Sequence, residues 1–274
     1  LFDELLPRLN SLAAAAKAAS VSLCIDAEEA DRLDVSLDLF EAAFSEPALV
    51  GWEGFGIAVQ AYQKRAPAII DWLAALSRRH ARRLTVRLVK GAYWDSEIKR
   101  AQERGLEGYP VFTRKASTDV SFLACARRLL DSPDTFYSQF ATHNAHTLAA
   151  VLEMGAGVGD YEFQRLHGMG EALYEALAED GAAVACRVYA PVGGHEDLLA
   201  YLVRRLLENG ANTSFVNRVI DDRAPIDDVI ADPADKVRAL EVKPHPAIPL
   251  PRALYGDERL GARGVDLGDP AQLR

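Results

Sequence analysis

Apolar residues recur at helical spacing from the start of the chain. Leu5, Leu6, Leu9, Leu12 and Ala13 fall on one face and predict a helix over 2–18. The period then shortens, and VSLCID (21–26) reads as a strand. An acidic stretch, AEEADRLDVSLDLFEAAF (27–44), returns to helical spacing. This exchange of periods repeats along the chain. Further strands are predicted at FGIAVQ (55–60), LTVRLVK (84–90), SQFATHN (138–144), YEFQRL (161–166) and CRVYAP (186–191). Helices are predicted around 66–81, 94–104 and 117–130, and after each of the three later strands. The last of them, HEDLLAYLVRRLLENG (195–210), has acids in its first turn and Gly210 as its stop.

Strands alternating with helices predict βα units around a parallel sheet. No G-x-G-x-x-G follows the first strand, and no phosphate-binding P-loop occurs. This disfavours the doubly wound dinucleotide-binding fold and leaves an α/β fold of the (β/α)8 TIM-barrel type. Six strands cannot close such a barrel, and the opening helix has no strand before it. Its first strand, first helix and second strand are expected to lie before residue 1. The barrel is assigned to 1–221. Prolines then accumulate at 225, 233, 244, 246, 249, 251 and 270, so 222–274 reads as a Pro-rich linker towards another domain.

Composition changes this picture little. The chain is 49% apolar and 26% charged, as expected of a globular protein. A net charge of −9 leaves no broad basic surface for nucleic acid. Cys24, Cys125 and Cys186 have spacings that suit neither a disulfide framework nor a zinc site. Cys24 and Cys186 sit in apolar runs and read as core residues in a reducing, cytoplasmic setting. No run reaches the roughly 18 apolar residues of a membrane span.

The candidate chemistry lies where the strands end. In a barrel, catalytic groups gather at the C-terminal ends of the strands. Those ends carry Asp26, Gln60, Arg87 with Lys90, Thr142-His143-Asn144, Gln164 with His167, and Tyr189. A strand that merely meets water would also end on polar residues. That reading handles Arg87 poorly, because a charge in the middle of a covered strand needs a partner or a ligand. His143, His146 and His167 invite a metal reading, but no carboxylate recurs at ligand spacing, and no metal site is assigned. In the last helix Leu199, Leu202, Val203 and Leu206 share an apolar face opposite Tyr201, Arg204, Arg205 and Glu208. The two arginines form either a solvated face, with Arg204 paired to Glu208, or a clamp for a small carboxylate.

Six segments carry a resemblance: DAEEADRL, QAYQKRAP, RLVKGAYWDSEIKRAQERGLEGYPVFTRK, FATHNAHTLA, EFQRLHGMGE and RVYAPVGGHEDLLAYLVRRLLENGANTSFVNR. In order and density they resemble the proline dehydrogenase domain of the bifunctional flavoenzyme proline utilization A, over about residues 4 to 255. The resemblance implies a (β/α)8 barrel with FAD at the C-terminal ends of its strands. It implies oxidation of L-proline to Δ1-pyrroline-5-carboxylate by hydride transfer to flavin N5, with electrons passed to a quinone. It also implies an aldehyde dehydrogenase domain elsewhere in the polypeptide and a cytoplasmic location peripheral to the inner membrane.

Residue roles follow from the same resemblance. Arg204 and Arg205 would hold the proline carboxylate, with the last helix over the barrel mouth. Tyr189 would pack on the proline ring, Leu166 would line its pocket, and Asp26 would organise the polar side. Arg87 would stand beside flavin N5, where negative charge develops. Gln60 and Gln164 would contact the ring system, and Val89, Gly91, Ala92 and Trp94 the ribityl and adenosine part. Thr113, Arg114, Lys115 and Thr118, with Ala141, Thr142, His143 and Asn144, would hold the dinucleotide, and Glu208 would contact the same cofactor. The family's lysine on the earlier barrel strands and the DNA-binding segment of some members have no counterpart here. A catalytically inactive barrel serving as an assembly or regulatory module, or a metal-dependent barrel aldolase or hydrolase, remain the alternatives.

Overall fold

The computed structural model describes residues 1–181, 184–210, 230–256, 258–267 and 272, without the side chains of 197 and 206–210. The strands are β1 (Leu23–Ile25), β2 (Phe55–Gln60), β3 (Leu84–Val89), β4 (Phe136–Ala141), β5 (Tyr161–Leu166) and β6 (Ala185–Tyr189). The main helices are α1 (Phe2–Ala18), α2 (Leu33–Phe44), α3 (Ala66–His80), α4 (Trp94–Glu103), α5 (Lys115–Leu130), α6 (Ala145–Met154), α7 (Glu171–Glu179) and α8 (His195–Gly210). A short helix, α9 (Pro233–Arg238), follows.

The strands form one parallel sheet in the order β1-β2-β3-β4-β5-β6. The order never reverses, so there is no switch point of the doubly wound kind. The helices between successive strands pack on one face, and the sheet curls as part of a barrel. The alternation of each strand assigns its two faces. Ile57, Val59, Val86, Leu88, Phe136, Phe140 and Phe163 are buried in a core with Phe40, Phe44, Ile70, Leu73, Phe122 and Leu129 of the helices. The residues between them turn to the concave face. One row there runs Ala58, Arg87, Gln139, Glu162 and Ala185 across five strands.

Most predicted elements stand where the periodicity put them; two boundaries and one core assignment differ for physical reasons. The helix expected from residue 27 begins at Leu33, after a tight turn at 30–32. Residues 27–30 are held by other elements instead: Gln60 donates to the carbonyls of Ala27 and Glu28, and Ala30 N donates to Glu97. The fourth strand ends at Ala141, because Asn144 caps α6 by accepting from Thr147 N at 2.8 Å. Cys186 is exposed rather than in the core, since β6 borders the sheet and its outer face is uncovered among the described residues. Within the stretch from 222, residues 222–229 lie outside the described residues. Residues 242–249 run along α4 and the start of α5, with Arg114 donating to the carbonyls of 242, 243 and 244. No helix among the described residues is long and apolar enough to cross a membrane.

Candidate active site

Five strands and α8 surround a cleft of about 430 Å³ at the C-terminal ends of the strands. Arg87 is its centre. Three of its nitrogens bond to three different parts of the fold. Nε donates to Gln164 Oε1 at 2.9 Å, and Nη1 to Asp26 Oδ1 at 2.6 Å. Nη2 donates to the Tyr189 hydroxyl, and the guanidinium carbon lies 4.7 Å from that ring's centre. Burial opposes the charge, but Tyr189 and Asp26 outweigh it, so the Arg87 pKa is raised and the group stays protonated. Residues of β3, β5 and β6, with Asp26 just after β1, thus meet on one cation.

The register row of Arg87 stays polar onto β4 and β5, at Gln139 and Glu162. Glu162 is 2% exposed and its carboxylate accepts from Arg187, Gln139, Gln164 and Tyr137 at 2.8–2.9 Å. Burial alone would raise its pKa; the donors from Arg187, Gln164 and Tyr137 hold it below the usual value. Gln164 therefore bonds Glu162 with one end of its amide and Arg87 with the other.

Around the mouth, β3 passes into Gly91 with φ +124°, a conformation that favours glycine. A Cβ at Gly91 would lie 2.4 Å from the Tyr62 ring, so the close approach here is to the protein's own aromatic side chain. Tyr93 donates to Glu28 at 2.6 Å, and Arg204 of α8 lies over its ring at 5.1 Å. Lys90 pairs with Asp119 of α5. His143 Nε2 accepts from Leu166 N at 3.1 Å. A backbone N–H only donates, so the neutral ring carries its proton on Nδ1. Burial, then Arg205 and Arg165, push the His143 pKa down to about 4. Gly170, in the left-handed region, packs against this ring: a Cβ there would stand 3.0 Å from His143 Cδ2.

Fifteen positions expected from the sequence line this cleft together: Asp26, Gln60, Arg87, Val89, Gly91, Ala92, Lys115, Ala141, Thr142, His143, Asn144, Leu166, Tyr189, Arg204 and Arg205. Gln164 lies beneath it, tied to Arg87. Trp94 turns away and donates to Phe112 O at 2.8 Å, while Tyr93 takes the place at the wall. Thr113 accepts from His245 N, Arg114 bonds residues 242–244, and Thr118 is buried in the first turn of α5. The side chain of Glu208 lies outside the described residues. Sequence reasoning missed Glu28, Met169 and Glu162. Only Glu162 carried a signal, the alternation of polar Glu162 and Gln164 with apolar Tyr161, Phe163 and Leu166 in β5. Among the described residues, no three His, Cys, Asp or Glu side chains are grouped to hold a metal ion.

α8 bears on one open alternative. Its polar residues Tyr201, Arg204 and Arg205 line the cleft, while Leu199, Leu202 and Val203 are about half exposed on its other side. The arginine pair therefore forms a wall of the cleft.

A singly wound parallel sheet, curled with its ligand cleft at the C-terminal strand ends, defines an α/β protein of the TIM-barrel type. The family model for proline dehydrogenase matches residues 3–218. The chain belongs to the proline dehydrogenase family. It is 57% identical to the bifunctional protein PutA of Salmonella typhimurium, over all of this chain and 22% of that protein. It is 30% identical to proline dehydrogenase 1 of Bacillus subtilis, over 79% of this chain and 64% of that one. A crystal structure of a proline utilization A variant from Bradyrhizobium japonicum superposes with a TM-score of 0.96 at 59% identity, covering 99% of this chain and 28% of that chain. The chain thus spans about a fifth of the length of the PutA relatives it matches.

Proposed function

We propose that this cleft binds FAD and oxidises L-proline to Δ1-pyrroline-5-carboxylate, the first step of proline catabolism. The observation that carries the reading is the convergence of Arg87, Asp26, Tyr189, Arg204 and Arg205 on one cleft at the strand ends. Two guanidinium-bearing side chains on one helical wall suit a small carboxylate. Leu166 and Tyr189 beside them offer an apolar surface and an aromatic ring for the pyrrolidine.

The residues present fit FAD. Ala58, Val89, Ala92 and Ala141 give a smooth apolar lining suited to a flat ring system. Gln60, Thr142, His143 and Asn144 add amide, hydroxyl and imidazole groups for its polar edges and ribityl chain, and Lys115 a cation for its pyrophosphate. FAD bound there would supply a two-electron acceptor, at N5, for the hydride removed from the ring carbon next to the proline nitrogen. Arg87 holds a fixed positive charge where negative charge would develop, and Asp26 and Tyr189 keep it oriented. Gln60 and Gln164 support the ring system, and Val89, Gly91 and Ala92 the chain beyond it. Thr113, Arg114 and Thr118 shape the start of α5 next to Lys115. Arg204 and Arg205 anchor the substrate.

A quinone is the final acceptor in this reading, with peripheral association at the inner membrane. The bifunctional names of the PutA relatives support an aldehyde dehydrogenase domain in the same polypeptide. The test is direct. Purified protein supplied with FAD, L-proline and an artificial electron acceptor should form Δ1-pyrroline-5-carboxylate, trapped as its adduct with an aromatic amine. Flavin-loaded protein that forms none would contradict the proposal.

A further inference from the structure

The buried carboxylate of Glu162 has no place in the roles above, although it is among the most heavily bonded groups in the molecule. It is the second residue of β5, in the register row of Arg87 and Gln139, and its side chain lies outside the cleft lining. A buried charge is retained at a cost unless it is paired and hydrogen-bonded. Arg187 provides the pair, with Nε at 2.8 Å and Nη2 at 2.9 Å. If pairing were its whole purpose, the remaining lone pairs would need only convenient donors. One of those donors is instead Gln164, whose other end reaches Arg87.

That link fixes a direction. An amide has one accepting end and one donating end. A carboxylate only accepts and a guanidinium only donates. With Gln164 Nε2 on Glu162 at 2.9 Å, its Oε1 is presented to Arg87 Nε at 2.9 Å. The reversed amide would set NH2 against N–H and oxygen against oxygen. Only the observed orientation satisfies both neighbours. Gln139, in register with both Arg87 and Glu162, donates to the same carboxylate and closes the floor from the β4 side.

We propose that Glu162 is a positioning residue that sets the Arg87 guanidinium by locking the orientation of the Gln164 amide. Asp26, whose side chain is 70% exposed, and the Tyr189 hydroxyl then hold a cation whose Nε edge is already fixed from below. The inference rests on the reading of the cleft as a flavin site, in that its measured consequence is Arg87 beside the bound ring.

The experiment compares flavin-loaded wild type with Glu162→Gln, Gln164→Leu, Arg87→Met and the double variants with Arg87→Met. Glu162→Gln gives the amide of Gln164 a neighbour that no longer dictates its orientation. Gln164→Leu cuts the link while keeping the Glu162–Arg187 pair, and serves if the first variant fails to fold. Glu162→Gln and Gln164→Leu should each slow flavin reduction by saturating proline about 10- to 100-fold through misplacement of Arg87, with KM changing much less. The visible absorption bands and reduction potential of the bound flavin should move in the direction seen in Arg87→Met. Adding either change to Arg87→Met should slow reduction no further. Multiplying effects in the double variants, or wild-type spectra and rates in both single variants beside a slow Arg87→Met, would overturn the positioning role alone. A wild-type rate in Arg87→Met would overturn the site reading with it.

Discussion

Arg87 is tolerated in mid-strand because three of its nitrogens leave the strand already bonded, each to a different element. The sequence made that charge conspicuous; its partners, 61 to 102 residues away, are brought together only by the curl of the sheet. His143 is the opposite case, a group that looks titratable and is not near neutral pH. Its depressed pKa of about 4 lies below the ordinary value of 6.5. The folded protein therefore binds fewer protons than the unfolded chain between those limits. The stability that neutral His143 contributes is complete above about pH 6.5 and is lost as pH falls towards 4. The midpoint of urea unfolding should drop between pH 7 and pH 5 by more in wild type than in His143→Asn. Equal drops would show that His143 is not held neutral.

The last helix shows what an element's amphipathicity can and cannot say. Its wheel separates a leucine and valine face from an arginine and tyrosine face, and the usual inference turns the apolar face inward. Here the polar face turns inward, because the space beneath it is a cleft lined by charged and hydrogen-bonding groups. The pattern fixed which residues share a face; the direction of that face depends on where the helix packs. If Arg204 and Arg205 hold the substrate carboxylate, Arg204→Ala and Arg205→Ala should each raise the proline KM about 10- to 100-fold, the loss of a charge-assisted hydrogen bond, with flavin retained. Wild-type KM values in both variants would remove the arginines from the substrate side. β5 offers the reverse lesson. Its alternation was legible, yet the reason for a glutamate in a buried row was not, since Arg187, Gln139 and Tyr137 lie on other strands.

At the scale of the molecule, the alternation of strands and helices was enough to predict a parallel α/β fold, and the polar strand ends were enough to locate its mouth. The boundaries that shifted did so where tertiary bonds replaced local ones, as when Gln60 and Glu97 hold residues 27–30 out of the helix that follows. The path of residues 242–249 along Thr113, Arg114 and Tyr109 was not legible, because prolines state that a segment is extended but not what it lies against. All these pieces bear on one claim, that the strand-end cleft moves electrons from proline to a flavin. Rapid anaerobic mixing of the FAD-loaded protein with L-proline tests it most directly, by following the visible flavin bands. The account predicts full bleaching in wild type and bleaching about 100- to 1,000-fold slower in Arg87→Met, the usual loss when a charge-stabilising group is removed. Flavin bands that persist in wild type at saturating proline would contradict it.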